Sequence, residues 1–144
     1  MDRVLVLTAL AMVVAALVVG GRLVAARRLR GLRAAAPAEL WTALGDAPDG
    51  RPTVVAFSTP SCIACRATQR PALAALEERA RGRVRVLHVD AASRPEVARA
   101  FGVMTVPATT VLDEWGAVVA ANQGFASADQ LADQLRLRRT PSLR

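Results

Sequence analysis

From Val4 to Gly21 the chain runs for 18 residues without a charge, and Thr8 is the only polar side chain among them. At a rise of ~1.5 Å per residue, a helix of that length reaches ~27 Å, close to the ~30 Å of bilayer hydrocarbon. A helix apolar on every face needs surroundings that the rest of a 144-residue chain cannot provide. The run therefore reads as an N-terminal transmembrane anchor, not a core helix. Arg22, Arg27, Arg28, Arg30 and Arg33 follow it. Signal peptides carry positive charge before the apolar stretch, and the small residues Ala34 to Ala36 lie well beyond it, so an uncleaved anchor is expected. The positive-inside rule then puts this basic flank, and the large domain after it, in the cytoplasm, with an extracytoplasmic domain as the alternative.

The net charge of +7 divides unevenly: residues 1–33 carry +5 and the remainder only +2. A nearly balanced domain gives no footprint for nucleic acid, and none is expected as a partner. The basic block suits anionic headgroups instead. Four segments are expected: the anchor 1–21, a basic alanine-rich linker 22–36 able to continue as helix, a domain 37–138 and a basic tail 139–144. Pro37 opens a helix over Ala38–Leu44, closed by Gly45. Thr53–Phe57 reads as a strand covered on both faces. Cys62 starts a helix reaching Arg81, with Leu73, Leu76 and Ala80 as its apolar stripe. Val84–Val89 is a second strand. Ser93-Arg94-Pro95-Glu96 resembles a capping box for a helix through Phe101. Ala108–Leu112 and Ala117–Ala121 form a hairpin about Asp113–Gly116. A last helix begins at Ser127, with Gln130 completing a second capping box, and buries Leu131, Leu135 and Leu137. This order predicts an α/β domain: a mixed sheet, its first two strands parallel, with helices on both faces.

The only cysteines are Cys62 and Cys65. At this spacing on the first turn of a helix, two thiols can close into a disulfide. The helix start favours an anion at Cys62, the attacking thiolate, and Cys65 stands one turn deeper to resolve a mixed disulfide. Arg66 adds a positive charge nearby. Metal sites use the same spacing, but structural zinc takes four ligands and the chain offers two cysteines and His88. His88 reads as an ordinary strand-end residue. A two-thiol site for monovalent copper stays open, and no metal or organic cofactor is otherwise called for, since no dinucleotide or phosphate loop occurs.

The stretch from Val54 through Phe57, Ser58, Thr59, Pro60 and Ser61 to Cys62-Ile63-Ala64-Cys65-Arg66 resembles the active-site strand, loop and helix of thioredoxins. Val103–Thr109 is similar to that family's cis-proline loop. The resemblance covers residues 38–137 and implies a thioredoxin-like fold, a cis Val106-Pro107 bond facing the cysteines, and backbone pairing of Val106 with a substrate strand. The site implied is Cys62 and Cys65 as catalytic pair, Val106 and Pro107 for substrate, and Arg66 and Ser61 in support. The sequence also departs from the family. Ile63-Ala64 replaces Gly-Pro, Ala56 stands at the buried aspartate, Val86 at the accompanying lysine, Ser58 and Ser61 at the flanking tryptophans, and Pro71 falls one position late. The family's opening strand is not visible. A slower or more narrowly directed exchanger is therefore expected.

The function read from this is a membrane-anchored thiol-disulfide oxidoreductase, working as a reductase on protein or small-thiol disulfides and recycled by an unidentified redox partner. The competing reading is a binding module that keeps the fold and uses its thiols for copper or docking. Trp41, Phe57, Phe101 and Phe125 are expected to pack in the core, and Trp115 to fold back on the sheet.

Overall fold

The computed structural model describes residues 2–34 and 36–135. Contacts divide the chain into two units, Met1–Gly31 and Leu32–Arg144. Helix α1 runs unbroken from Asp2 to Ala34. The boundary expected at residue 21, between anchor and linker, is therefore not a break in structure. The alanines, leucines and arginines that follow are strong helix formers, and they carry the helix past Gly20 and Gly21. Residues Arg3–Arg33 make one helix long and apolar enough to cross a membrane by length and composition, and none of it is buried.

The second unit is built on a four-stranded sheet in the order β2-β1-β3-β4. Its strands are β1 (Thr53–Ser58), β2 (Arg85–Asp90), β3 (Ala108–Leu112) and β4 (Val118–Gln123). β1 pairs in parallel with β2 and antiparallel with β3, and β3 pairs antiparallel with β4. Among the described residues, the remaining α-helices are α2 (Pro37–Leu44), α3 (Arg70–Ala80), α4 (Pro95–Ala100) and α5 (Ala128–Gln134). The sheet is mixed, as the sequence predicts.

β1 is a continuous apolar run because both of its faces are covered. On one face Val54 and Ala56 join Leu73, Leu76, Val111 and Leu131, so α3 and α5 share this layer. On the other, Phe57 meets Phe101 with ring centroids 5.4 Å apart, beside the neighbouring helices α2 and α4. The loop after α2 is tied down by charge: Arg85 pairs with Asp46, and Arg51 with Asp49 at 2.6 Å. The Arg51 hydrogen bond holds the Asp49 carboxyl below the ordinary carboxylate range, and the Ala47 N–H does the same for Asp46.

Several local expectations are corrected by tertiary contacts. The capping box at Ser93 does not form: its hydroxyl donates to the Asp90 carbonyl, and no side chain caps α4. Arg94 instead reaches the carbonyls of Ala43 and Leu44, satisfying the end of α2. At α5, Ser127 accepts from the Gln130 N–H, but the Gln130 amide donates to Asn122 instead of returning to the cap. Trp115 is 80% exposed. The place beneath the hairpin is already filled by buried Trp41, whose Nε1 donates to the Gly116 carbonyl at 3.1 Å. Phe125 is 52% exposed, because Gly124 at φ 92° turns the chain and Ala126 takes the inward position. Leu137 and the tail 139–144 lie outside the described residues.

Gly116 is required twice over. Its φ is 82°, and an added Cβ would strike the Trp41 ring and sit 2.9 Å from Pro48 Cγ. A left-handed non-glycine residue costs about 1–2 kcal/mol, and overpacking costs about 1–3 kcal/mol. Gly116→Ala is therefore expected to destabilise the domain by about 2–5 kcal/mol, read as a fall in Tm. A Tm equal to that of the parent would show that the Trp41 contact yields freely.

Candidate functional site

Strand register gathers the site at one end of the sheet. Ser58, the last residue of β1, pairs with Asp90 at the end of β2. Phe57 pairs with Ala108 at the start of β3, and Ala108 with Gln123 at the end of β4. The segments carrying Cys62 and Pro107 therefore leave the sheet side by side, at the carboxyl ends of the parallel strands.

Cys62 follows a tight turn in which its N–H donates to the Thr59 carbonyl at 3.1 Å. It is joined to Cys65 by a disulfide with an S–S distance of 2.09 Å and a Cα–Cα distance of 5.3 Å. The Cys65 N–H points at Cys62 Sγ from 3.1 Å. An amide at the start of a helix aimed at sulfur is the arrangement that stabilises a thiolate once the pair is reduced. Exposure differs across the pair, with Cys62 half-buried and Cys65 only 6% exposed. The outer sulfur can be approached, and the inner one is held in reserve.

The helix after the cysteines is not regular α. Cys65–Gln69 forms a π turn, closed by the Arg70 N–H on the Cys65 carbonyl, and runs directly into α3. Pro71 has no N–H for the carbonyl four residues back, and its ring would crowd that oxygen. A π turn takes in one extra residue. This accommodates the proline that the sequence places one position late.

The π turn also sends Gln69 inward, to 3% exposure. Its amide donates to the Ala126 carbonyl at 3.0 Å and accepts from the Ala126 N–H at 2.9 Å. Val106-Pro107 is cis, as the resemblance implies, with Pro107 buried and Val106 half-buried. Its loop is held by Gln123, which accepts from Met104 N–H at 3.1 Å and donates to the Gly102 carbonyl at 3.2 Å. The Gly124 N–H reaches the Pro107 carbonyl at 2.8 Å. Gln69 and Gln123 position the site, yet neither is marked in the sequence by any motif.

Of the expected supporting residues, Arg66 is exposed and donates to the Pro60 carbonyl, bracing the turn before Cys62. Ser61 is exposed. Ala56 pairs with His88 across the β1–β2 ladder. Both line a cavity of about 210 Å³ that also reaches Cys65, Leu73 and Asp90. Among the described residues, no three His, Cys, Asp or Glu side chains gather to hold a metal ion.

Comparison with known proteins places this geometry. The thioredoxin family model matches residues 42–137, well over half of the chain. No curated protein matches the chain. Among solved structures, thioredoxin-2 of the malaria parasite, a component of that parasite's protein secretion machinery, is 24% identical with a TM-score of 0.56, covering 61% of this chain and 84% of that one. Thioredoxin of Fasciola hepatica is 26% identical with a TM-score of 0.53, covering 62% and 83%. Chloroplastic thioredoxin z is 19% identical with a TM-score of 0.55, covering 62% and 79%.

Proposed function

The chain belongs to the thioredoxin family, and from that premise we propose that it is a membrane-anchored thiol-disulfide oxidoreductase in which Cys62 attacks and Cys65 resolves. Thiol-disulfide redox chemistry in general follows from the domain and its paired cysteines. The observation that carries the finer reading is the Cys65 N–H set 3.1 Å from the sulfur of the more accessible Cys62.

In the reductive direction, the Cys62 thiolate attacks one sulfur of a substrate disulfide. That S–S bond breaks, its electron pair leaves on the second substrate sulfur, and a mixed disulfide remains on Cys62. Cys65 then attacks Cys62 Sγ, releasing the first substrate sulfur and closing the Cys62–Cys65 bond. Two electrons from a recycling thiol partner reopen the pair. Substrates would be protein or small-thiol disulfides. Val106, just outside the ladder that β3 begins at Ala108, is where an extended substrate segment would pair its backbone.

Reduction is favoured because the arginines after the apolar run point to a cytoplasmic domain, and that compartment keeps thiols reduced. A topology reporter fused after Arg144 tests the placement, and a signal from the outer side would turn the reading toward oxidation.

The trapping experiment is direct. Cys65→Ser should accumulate mixed disulfides on Cys62 with native partners, and the parent should reduce insulin. If nothing is trapped and insulin stays intact, while the reduced protein takes up monovalent copper stoichiometrically, the chain is a metal-binding module instead.

A further inference from the structure

The exchange reading leaves one proton without a carrier. Cys65 must lose its proton to attack Cys62, and it is 6% exposed. The β1 residue facing its cavity, Ala56, bears no acid or base. The register puts His88, the only histidine of the chain, directly beside Ala56 on β2. Paired residues on neighbouring strands project to the same face of a sheet. The short Ala56 side chain therefore leaves room that His88 borders, and the cavity of about 210 Å³ there is lined by both Cys65 and His88. A water molecule occupies about 30 Å³ of liquid, so several fit. His88 itself is exposed on the edge strand, so it can return protons to solvent.

We propose that His88 is the proton-relay residue for Cys65, working through the water of this cavity. The proposal rests on the exchange reading and assigns the base of its second step. The Cys65 thiol passes its proton to cavity water, which passes one to the neutral imidazole. The freed sulfur pair attacks Cys62 Sγ, the bond between Cys62 and the substrate breaks, and the substrate sulfur leaves with that electron pair. The imidazolium yields its proton to solvent and the leaving thiolate takes one up, so the balance closes. The other charged groups around the cavity are Asp90 on β2 and Arg66 and Arg70 on the helix side, and Ala56 adds none from β1. Asp90 Oδ1 accepts from the Ala92 N–H at 2.9 Å and its Oδ2 remains open among the described residues, whereas the arginines can only donate. Of the two acceptors, Asp90 and His88, it is His88 that the register sets beside Ala56.

The test uses the reduced full-length chain in detergent, with dithiobis(nitrobenzoate) as the disulfide. Its coloured thiol appears in two phases, first when Cys62 attacks and again when Cys65 resolves. In the parent, the second-phase rate should show a bend with pH that the relay imidazole sets. His88→Asn should lower the ratio of second-phase to first-phase rate by about 10²-fold at neutral pH, the low end of general-base effects, and remove that bend. Added imidazole should restore the second phase in His88→Ala, which a purely structural role would not allow. An unchanged ratio with the bend retained in His88→Asn overturns the proposal and leaves the exchange reading standing. Absence of both phases in the parent removes the exchange reading itself.

Discussion

Cys62→Ser is expected to lose disulfide exchange to background, whereas Cys65→Ser should still form the first mixed disulfide and stop there. The asymmetry follows from position. Cys62 is half-buried at the turn and receives the Cys65 N–H, whereas Cys65 lies at 6% exposure under the first turn of the helix. A serine hydroxyl supplies no anion at neutral pH, so the variant has no nucleophile at the accessible position. Alkylation of the reduced parent reads the same asymmetry on a finer scale. A helix start and the Cys65 N–H favour the Cys62 thiolate, which is the attacking species. The expectation is that Cys62 reacts faster with iodoacetamide at neutral pH than a free cysteine, with buried Cys65 far behind. Equal labelling of the two cysteines would remove the assignment of attacker and resolver. The activity loss in Cys62→Ser is much the larger effect, because it deletes the step instead of slowing it.

How much of this was legible in the sequence depends on the range of the forces involved. Strands such as Thr53–Phe57 and helices such as Pro37–Leu44 announced themselves, because apolar runs, prolines and glycines act over a few residues. The cysteine pair was legible from its spacing at a helix start, and the cis Val106-Pro107 bond through the family resemblance. What failed was decided by partners far away in the chain. Ser93 carried a correct local signal for a cap, yet Asp90 and the end of α2 drew Ser93 and Arg94 elsewhere. Trp115 has a core residue's side chain, but Trp41, from an element 74 positions earlier in the numbering, already fills the space under Gly116. The cavity bordered by His88 could not be seen either. It arises from a small residue on one strand standing beside a larger one on the next, and register is invisible until the sheet is assembled. Pro71 gave half a signal: its displacement was readable, but not that a π turn would take up the difference.

Gln69 is the residue that this π turn brings inside, and its replacement should be the most damaging single change to stability at the site. Gln69→Leu keeps the volume but leaves the Ala126 N–H and carbonyl without their partners, at a residue that is fully buried. Each buried polar group left unpaired costs about 1–3 kcal/mol, so the pair together should cost roughly 2–6 kcal/mol. For a domain near a hundred residues that corresponds to a Tm lower by at least about 8 °C. Gln69→Glu separates hydrogen bonding from packing. Its carboxylate could still accept from the Ala126 N–H but would face the Ala126 carbonyl with a second oxygen, and burial would raise its folded-state pKa above the unfolded value near 4.3. The folded state would then hold the proton more firmly, so stability should fall as pH rises through that interval and recover as pH drops toward it. The protonated form can donate to the carbonyl as glutamine does. Because Ala126 follows the Gly124 that bonds the Pro107 carbonyl, the same variant should loosen the segment beside the cis-proline loop. A Gln69→Leu protein melting within about 2 °C of the parent would mean that water replaces the amide freely, and the glutamine would then be a passenger of the π turn.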